Sequence, residues 1–261
     1  MLLAVDIGNS HTVVGLFDGD ELTHHFRLAT DRNRTEDEYG VLIRQLLVEY
    51  GVGWDNVKDA VLASVVPPLT ERWEKLISAR LGREPLVIGP GVKTGMAIRY
   101  ENPREVGADR IVNGVAGFER FRTDGSGVVV VDFGTATTFD VISPACEYLG
   151  GAIAPGVMIS AEALFQRASK LPRVDLALPP SPVGRTTVTS MQAGILYGYI
   201  GLVDGMIARI RDDVSFDFKV VATGGVAPTI AAHSRSIDAV DEDLTLRGLQ
   251  LIFGRNPRGD S

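Results

Sequence analysis

The chain of 261 residues has one cysteine, Cys146. A single thiol excludes an internal disulfide framework and any zinc site built on several thiolates. Histidine is scarce as well: His11, His24, His25 and His233 include no His-Glu-x-x-His pair, so that metalloprotease pattern is absent. Positive charge is in deficit, with 26 Lys and Arg against 33 Asp and Glu, a net charge of −7. Without a basic run, such a chain cannot hold nucleic acid or an anionic membrane by bulk attraction, and neither is expected as a partner. Two nucleotide-binding patterns are missing. There is no Gly-x4-Gly-Lys-[Ser/Thr], since Gly91-Val92-Lys93-Thr94 has the wrong spacing, and no Gly-x-Gly-x-x-Gly opens a helix. The N-terminal MLLAVDIGNS lacks the basic segment of a signal peptide, which predicts none and a reducing cytoplasm as the default location. In that setting Asn33-Arg34-Thr35 as a glycosylation acceptor and Arg258-Gly259-Asp260 as an adhesion tripeptide read as chance matches.

What is present belongs to a globular α/β protein. Hydrophobic residues are 45% and charged residues 23%, near the globular average. Leu2–Val5 and Thr12–Phe17 read as strands around the polar turn Asp6-Ile7-Gly8-Asn9-Ser10, with a third strand near Leu22–Leu28. Thr35-x-x-Glu38 is a capping box ahead of Val41, Leu42, Leu46 and Leu47 on one helical face. A strand over Val57–Val65 and helices over Thr70–Leu81 and Ala108–Phe121 follow. Asp124-Gly125-Ser126-Gly127 is a turn cluster and a candidate hinge, dividing the chain at 1–123 and 124–261. Val128–Val131 suits a buried central strand. A helix over Val157–Ala168 and a loop-like, Pro-rich Leu171–Val188 come next. The long helix Met191–Arg211 carries Gly194, Gly198, Gly201 and Gly205 along one face. Gln192, Asp204 and Arg209 argue against a membrane span there, and close packing within the chain or a subunit interface are the two uses for the stripe. Val220–Ala222 reads as a strand opening into Thr223-Gly224-Gly225, and Leu244–Phe253 as a closing helix.

The second half repeats the first. VVVVDFGTATTFDVI lies against LLAVDIGNSHTVVGL with Asp6 opposite Asp132, Gly8 opposite Gly134 and Asn9 opposite Thr135. Each copy is an apolar strand, Asp-x-Gly-polar, and a second strand. Taken alone, either turn would be an ordinary Asp-Gly hairpin. Two copies, with Gly224-Gly225 after a third strand, point to a nucleotide cleft between two lobes. Glycine lets backbone N–H groups approach phosphate closely. A carboxylate can meet phosphate through hydrated Mg²⁺, which takes one or two carboxylates with water and phosphate oxygens. Asp6 and Asp132 are therefore candidate cation holders, and Asn9, Ser10, Thr12 and Thr135 candidate phosphate donors.

These turns resemble those of the acetate/sugar kinase–Hsp70–actin superfamily. The wider motif set is similar to type III pantothenate kinase: Asp6–Ser10, Gly107-Ala108-Asp109-Arg110, Asp132-Phe133-Gly134-Thr135-Ala136-Thr137-Thr138, Gly150–Gly156, Met191-Gln192-Ala193-Gly194 and Thr223-Gly224-Gly225. The resemblance implies two actin-like (ribonuclease H-like) lobes, with the active site in the cleft between them. It implies phosphorylation of pantothenate by ATP with Mg²⁺ and a monovalent cation, K⁺ or NH₄⁺, in a homodimer. The first phosphate loop then covers Asp6, Ile7, Gly8, Asn9, Ser10, His11, Thr12 and Val13, and the second nucleotide loop uses Thr135, with Gly224 and Gly225 on the adenosine side. Asp109 corresponds to the catalytic aspartate within the substrate segment Gly107, Ala108, Asp109 and Arg110. Tyr100 and Thr187 match substrate contacts. Asp132, whose bare chemistry permits Mg²⁺, matches the K⁺ aspartate, and Asp6 would hold Mg²⁺ through water. Ser10 stands where the family has threonine, and Thr186 where it has asparagine.

The chemistry of Asp109 is sound for that role, since a carboxylate beside an attacking alcohol can accept its proton. Arg110 has the planar fork to hold a carboxylate or phosphate. From these four residues alone, a helix cap and a surface ion pair would be the simpler reading. A non-catalytic regulator of the same fold, or another small-molecule kinase, is the alternative; the intact Asp109 and both intact turns weigh against the regulator. Cys146 reads as a bystander thiol.

Overall fold

A computed structural model describes residues 1–168 and 170–257; the Arg258-Gly259-Asp260 tripeptide lies outside them. In chain order the elements are β1 (Leu2–Ile7), β2 (His11–Asp18), β3 (Glu21–Ala29), α1 (Glu36–Glu49), β4 (Asp59–Ser64), α2 (Pro67–Leu81), β5 (Leu86–Val87), β6 (Ala97–Ile98) and α3 (Ala108–Phe121). They continue as β7 (Gly127–Phe133), β8 (Ala136–Ile142), β9 (Glu147–Pro155), α4 (Val157–Arg167), α5 (Thr187–Asp213), β10 (Phe218–Thr223), α6 (Ala227–Ala231), β11 (Ala239–Val240) and α7 (Leu244–Gly254). Two compact units result: Met1–Ala116 with the segment from Asp243 onward, and Gly117–Glu242.

The first unit is built on a sheet of order β3-β2-β1-β4-β5. β1 runs antiparallel to β2 and parallel to β4. Alternation along β1 sends Leu3, Val5 and Ile7 into a core with Tyr39, Ile43 and Leu47 of α1 and Leu69, Trp73 and Ile77 of α2. Burying each such side chain contributes about 1.5–3 kcal/mol. The Thr35/Glu38 capping box forms and starts α1. Helix α2 begins three residues before the expected Thr70, because Pro67 and Pro68 occupy its first positions, where a missing N–H costs nothing. The opposite face of β1 and β2 carries Ala4 beside Gly15, and a Cβ on Gly15 would sit 2.8 Å from Leu246 Cδ1 of α7. The small pair thus makes room for the C-terminal helix, which is also tied by Gln250 Nε2 to Asp20 (2.6 Å) and by His25 Nδ1 to Asp243 (2.7 Å).

The second unit repeats this topology as β11-β10-β7-β8-β9, with β7 antiparallel to β8 and parallel to β10. Val129, Val131 and Phe133 face Ile195, Leu196, Tyr199, Ile200, Val203 and Ile207 of α5. By length and composition α5 could span a membrane. Here one face is core, and mid-helix Asp204 accepts from Ser234 Oγ at 2.6 Å and Arg235 N at 3.1 Å.

The unit boundaries differ from the division at 123/124, and packing explains both differences. A Cβ on Gly117 would lie 2.6 Å from Val130 Cγ2, so the last turns of α3 rest on β7, ahead of the Asp124–Gly127 turn. At the other end α7 rests on the first sheet, although chain order placed it with the second half. β9 was obscured by Gly150-Gly151. Gly151 is required there, because its Cβ would lie 1.7 Å from Phe139 O, and Gly150 (φ 131°) adjoins a register shift at Val141/Ile142.

Candidate active site

The first Asp-x-Gly turn closes the β1–β2 hairpin. Asp6, half-buried, is the second-last residue of β1; Gly8, Asn9 and Ser10 form the loop, and His11, exposed, starts β2. Gly8 N donates to His11 O at 3.0 Å. The segment after β3 braces the loop from one side. Thr30 N donates to Ser10 O at 3.0 Å, and Thr30 Oγ1 donates to Gly8 O at 2.8 Å. Because that proton is committed, the fully buried Thr12 hydroxyl donates to Thr30 Oγ1 at 2.9 Å. Thr12 is thus a brace of the turn rather than an exposed phosphate donor. Val13, half-buried in β2, pairs with Asp6.

The Gly107–Arg110 segment opens α3, with Asp109 in its first turn. Its carboxylate folds back over Gly107, where a Cβ would lie 2.4 Å from Asp109 Oδ1, and it accepts from Arg110 N at 2.8 Å. Burial pushes the Asp109 carboxyl above its usual pKa; the hydrogen bonds from Arg110 N and its own N–H, with the Arg110 charge, oppose this without cancelling it. Arg110 itself is buried. Val65 joins this segment to the first turn. Its N–H donates to Ile7 O at 3.1 Å, and its Cγ1 lies 3.8 Å from the Gly107 Cβ position. Asp109 and the Asp6–Ser10 turn therefore meet at the carboxyl ends of β1 and β4, where α/β sheets bind ligands. Tyr100, half-buried, lies in the preceding loop, before the helical turn Pro103–Glu105.

In the second unit Asp132 is the second-last residue of β7 and is half-buried, with Gly134 and Thr135 exposed beyond it. Backbone packs tightly around this turn. A Cβ on Gly156 would lie 2.3 Å from Thr135 O, and one on Gly224 (φ +93°) 2.5 Å from Phe133 O. The structure thus brings Asp132, Thr135, Gly224 and Gly225 to one end of β7. Thr187 is exposed at the start of α5. Thr186 caps that helix through a reciprocal bond with Thr189, so threonine performs the cap that asparagine also performs well. Gly156 is visible in the sequence as the glycine of the Pro155-Gly156 pair, whereas Val65, Arg32 and Arg72 carry no site signal there and act only through tertiary neighbours.

A family model for type III pantothenate kinase matches residues 2–209. The chain belongs to the type III pantothenate kinase family. A relative of that name from Myxococcus xanthus is 57% identical over 256 residues, covering 98% of this chain and 99% of its own. One from Geobacter sulfurreducens is 54% identical with the same coverage. Among solved structures, a Baf family protein of Campylobacter jejuni superposes with a TM-score of 0.62 at 22% identity, over 98% of both chains. An inorganic polyphosphate/ATP-glucomannokinase from Arthrobacter sp. strain KM gives 0.54 at 14% identity, over 98% of this chain and 99% of its own. These likenesses establish the fold as α/β of the actin-like ATPase type. On the glycine stripe of α5, a Cβ on Gly194, Gly198 or Gly201 would meet nothing within 4 Å among the described residues, and all three glycines are exposed.

Proposed function

We propose that this pantothenate kinase family member transfers the γ-phosphoryl group of ATP to the primary alcohol of pantothenate, giving 4′-phosphopantothenate and ADP, the first step of coenzyme A biosynthesis. The observation that carries the mechanism is Asp109: a desolvated carboxylate, raised in pKa, next to the first phosphate turn. The alcohol oxygen bonds to the γ-phosphorus while Asp109 takes its proton and the bond to the β–γ bridging oxygen breaks, releasing ADP. Raised basicity suits a general base, provided the group remains ionised at the working pH. Gly107, Ala108 and Arg110 frame the acceptor, with Tyr100 and Thr187 as further substrate contacts. The Asp6–His11 stretch, Val13 and Thr135 receive the phosphates, with Thr12 bracing the turn; Gly224 and Gly225, which expose backbone, serve the adenosine side.

Mg²⁺ and a monovalent cation fit the donor set in a restricted sense. Asp6 and Asp132 are half-buried carboxylates near the ends of β1 and β7, which suits a Mg²⁺ that takes one or two carboxylates and keeps water ligands. Asp6 would hold it through water and Asp132 would hold K⁺ or NH₄⁺; bound there, the ions would neutralise phosphate charge. The outward glycine face of α5 supports a homodimer, and dependence on ATP supports a cytoplasmic location. The test is a phosphotransfer assay with a panel of alcohols, with and without K⁺ or NH₄⁺. Turnover confined to pantothenate and dependent on the monovalent ion is expected. Preference for another alcohol overturns the substrate, and indifference to the ion overturns the Asp132 assignment. Light scattering that returns a monomer mass overturns the dimer.

A further inference from the structure

We infer that Arg32 is a positioning residue for the nucleotide phosphates, acting through Asn9. This rests on the reading of the first turn as a phosphate site. Arg32 is an exposed residue beyond β3, and its Nη2 donates to Asn9 Oδ1 at 3.1 Å. A guanidinium has donors only, so it dictates which end of the Asn9 amide it meets. The carbonyl oxygen must face Arg32, and the amide NH₂, with its two donors, is turned away from it. Asn9 is exposed at the tip of the turn. With Arg32 in place, it offers phosphate donors instead of an acceptor that would repel an anion. In a chain of net charge −7, the arrangement also sets one fixed cation beside the turn.

The segment that carries Arg32 is held independently of that contact. Arg72 Nη1 donates to both Arg32 O (2.8 Å) and Arg34 O (2.7 Å). Tyr39 Oη donates to Asp31 O at 3.0 Å and accepts from Asp31 N at 3.2 Å. Two residues earlier, Thr30 is bonded to the backbone on both sides of Asn9, at Gly8 O and Ser10 O. The backbone of Arg32 is therefore fixed relative to the turn before any ligand arrives. Preorganised donors lose little on binding and aim where the charge will sit.

The test uses the full chain and the Mg²⁺ complex of a non-hydrolysable ATP analogue, titrated by calorimetry, beside steady-state kinetics. Arg32→Ala should weaken analogue binding and raise the KM for ATP about tenfold, the scale of one lost bond to a charged group. The KM for pantothenate and kcat should stay within about twofold, and the melting temperature should hold. Arg32→Gln, which keeps a donor for Asn9 Oδ1 without the charge, should recover most of the loss. Arg32→Ala should add little on top of Asn9→Ala, because the first acts through the second. Full additivity overturns the action through Asn9, and unchanged nucleotide affinity in Arg32→Ala overturns the inference. Asp6→Asn separates the two levels. If it weakens the analogue while Arg32→Ala does not, the inference alone fails; if neither does, the phosphate reading of the turn fails with it.

Discussion

The two Asp-x-Gly turns sit at the same place in two sheets of the same topology, yet they are braced by different means. In the first unit the loop between strands is three residues long, and to its backbone bonds it adds side-chain braces from Thr12, Thr30 and Arg32. In the second the loop is two residues, Gly134-Thr135, and is held by backbone pressed against backbone at Gly156 and Gly224. Ile7 pairs with Thr12 in one sheet and Phe133 with Thr137 in the other. Both threonines are fully buried, but the Thr137 hydroxyl meets no partner among the described residues. A duplicated strand frame thus tolerated two turn chemistries. Side-chain bracing allows graded adjustment of donors, whereas glycine bracing admits no side chain at all.

This contrast can be broken or sharpened experimentally. The largest effect is expected at Asp109, the proposed general base, which lies beside the first turn in the opening turn of α3. Asp109→Asn should lower kcat by about 100- to 10,000-fold. Its melting temperature should stay level or rise, since an ionised carboxylate raised in pKa by burial opposes folding at neutral pH. Full activity in that variant would remove Asp109 from the mechanism.

Next come the glycine braces. Gly224→Ala combines a left-handed φ with a clash on Phe133 O, and about 2–4 kcal/mol should be lost in denaturant unfolding. Gly8→Ala, where the nearest atom is His11 O at 3.0 Å, should cost clearly less. Equal costs would erase the distinction between the turns.

The threonine pair gives a smaller test of opposite signs. Thr12→Val deprives Thr30 of a buried donor and should destabilise by about 1 kcal/mol. Thr137→Val removes a buried hydroxyl that meets no partner among the described residues and should be neutral or stabilising by urea midpoint. Loss of stability in both would mean that Thr137 has a partner in solution.

The smallest effect is on pH dependence. The folded carboxyl of Asp109 binds its proton at higher pH than the unfolded one. Its contribution to stability therefore falls as pH rises from the usual carboxylate range through the raised folded value. Asp109→Asn should flatten stability over that window, and the acid limb of kcat/KM in the parent should lie above an ordinary aspartate. An unaltered stability profile would place the carboxyl in water.

Much of this was legible in the chain. The Thr35/Glu38 box, the helix Ala108–Phe121 and the paired Asp-x-Gly turns appear where local chemistry dictates, because capping, helical periodicity and turn glycines act over a few residues. β9 was hidden because its glycines serve a cross-strand approach, which looks like a turn until Phe139 is beside it. Likewise Thr12 reads as a phosphate donor until Thr30, eighteen residues away, takes up its hydroxyl.

The amino-acid order by itself determined the repeated strand–turn–strand, and the identity of the groups proposed to meet phosphate and of the carboxylate proposed to meet an alcohol, since these depend on residue type and short spacing. Tertiary structure alone decided which unit owns the last helix, which threonine braces the first turn, and that the Asp109 carboxyl is raised. Those outcomes depend on what lies across a sheet or beside a loop, and burial and hydrogen-bond partners come from residues distant in the chain.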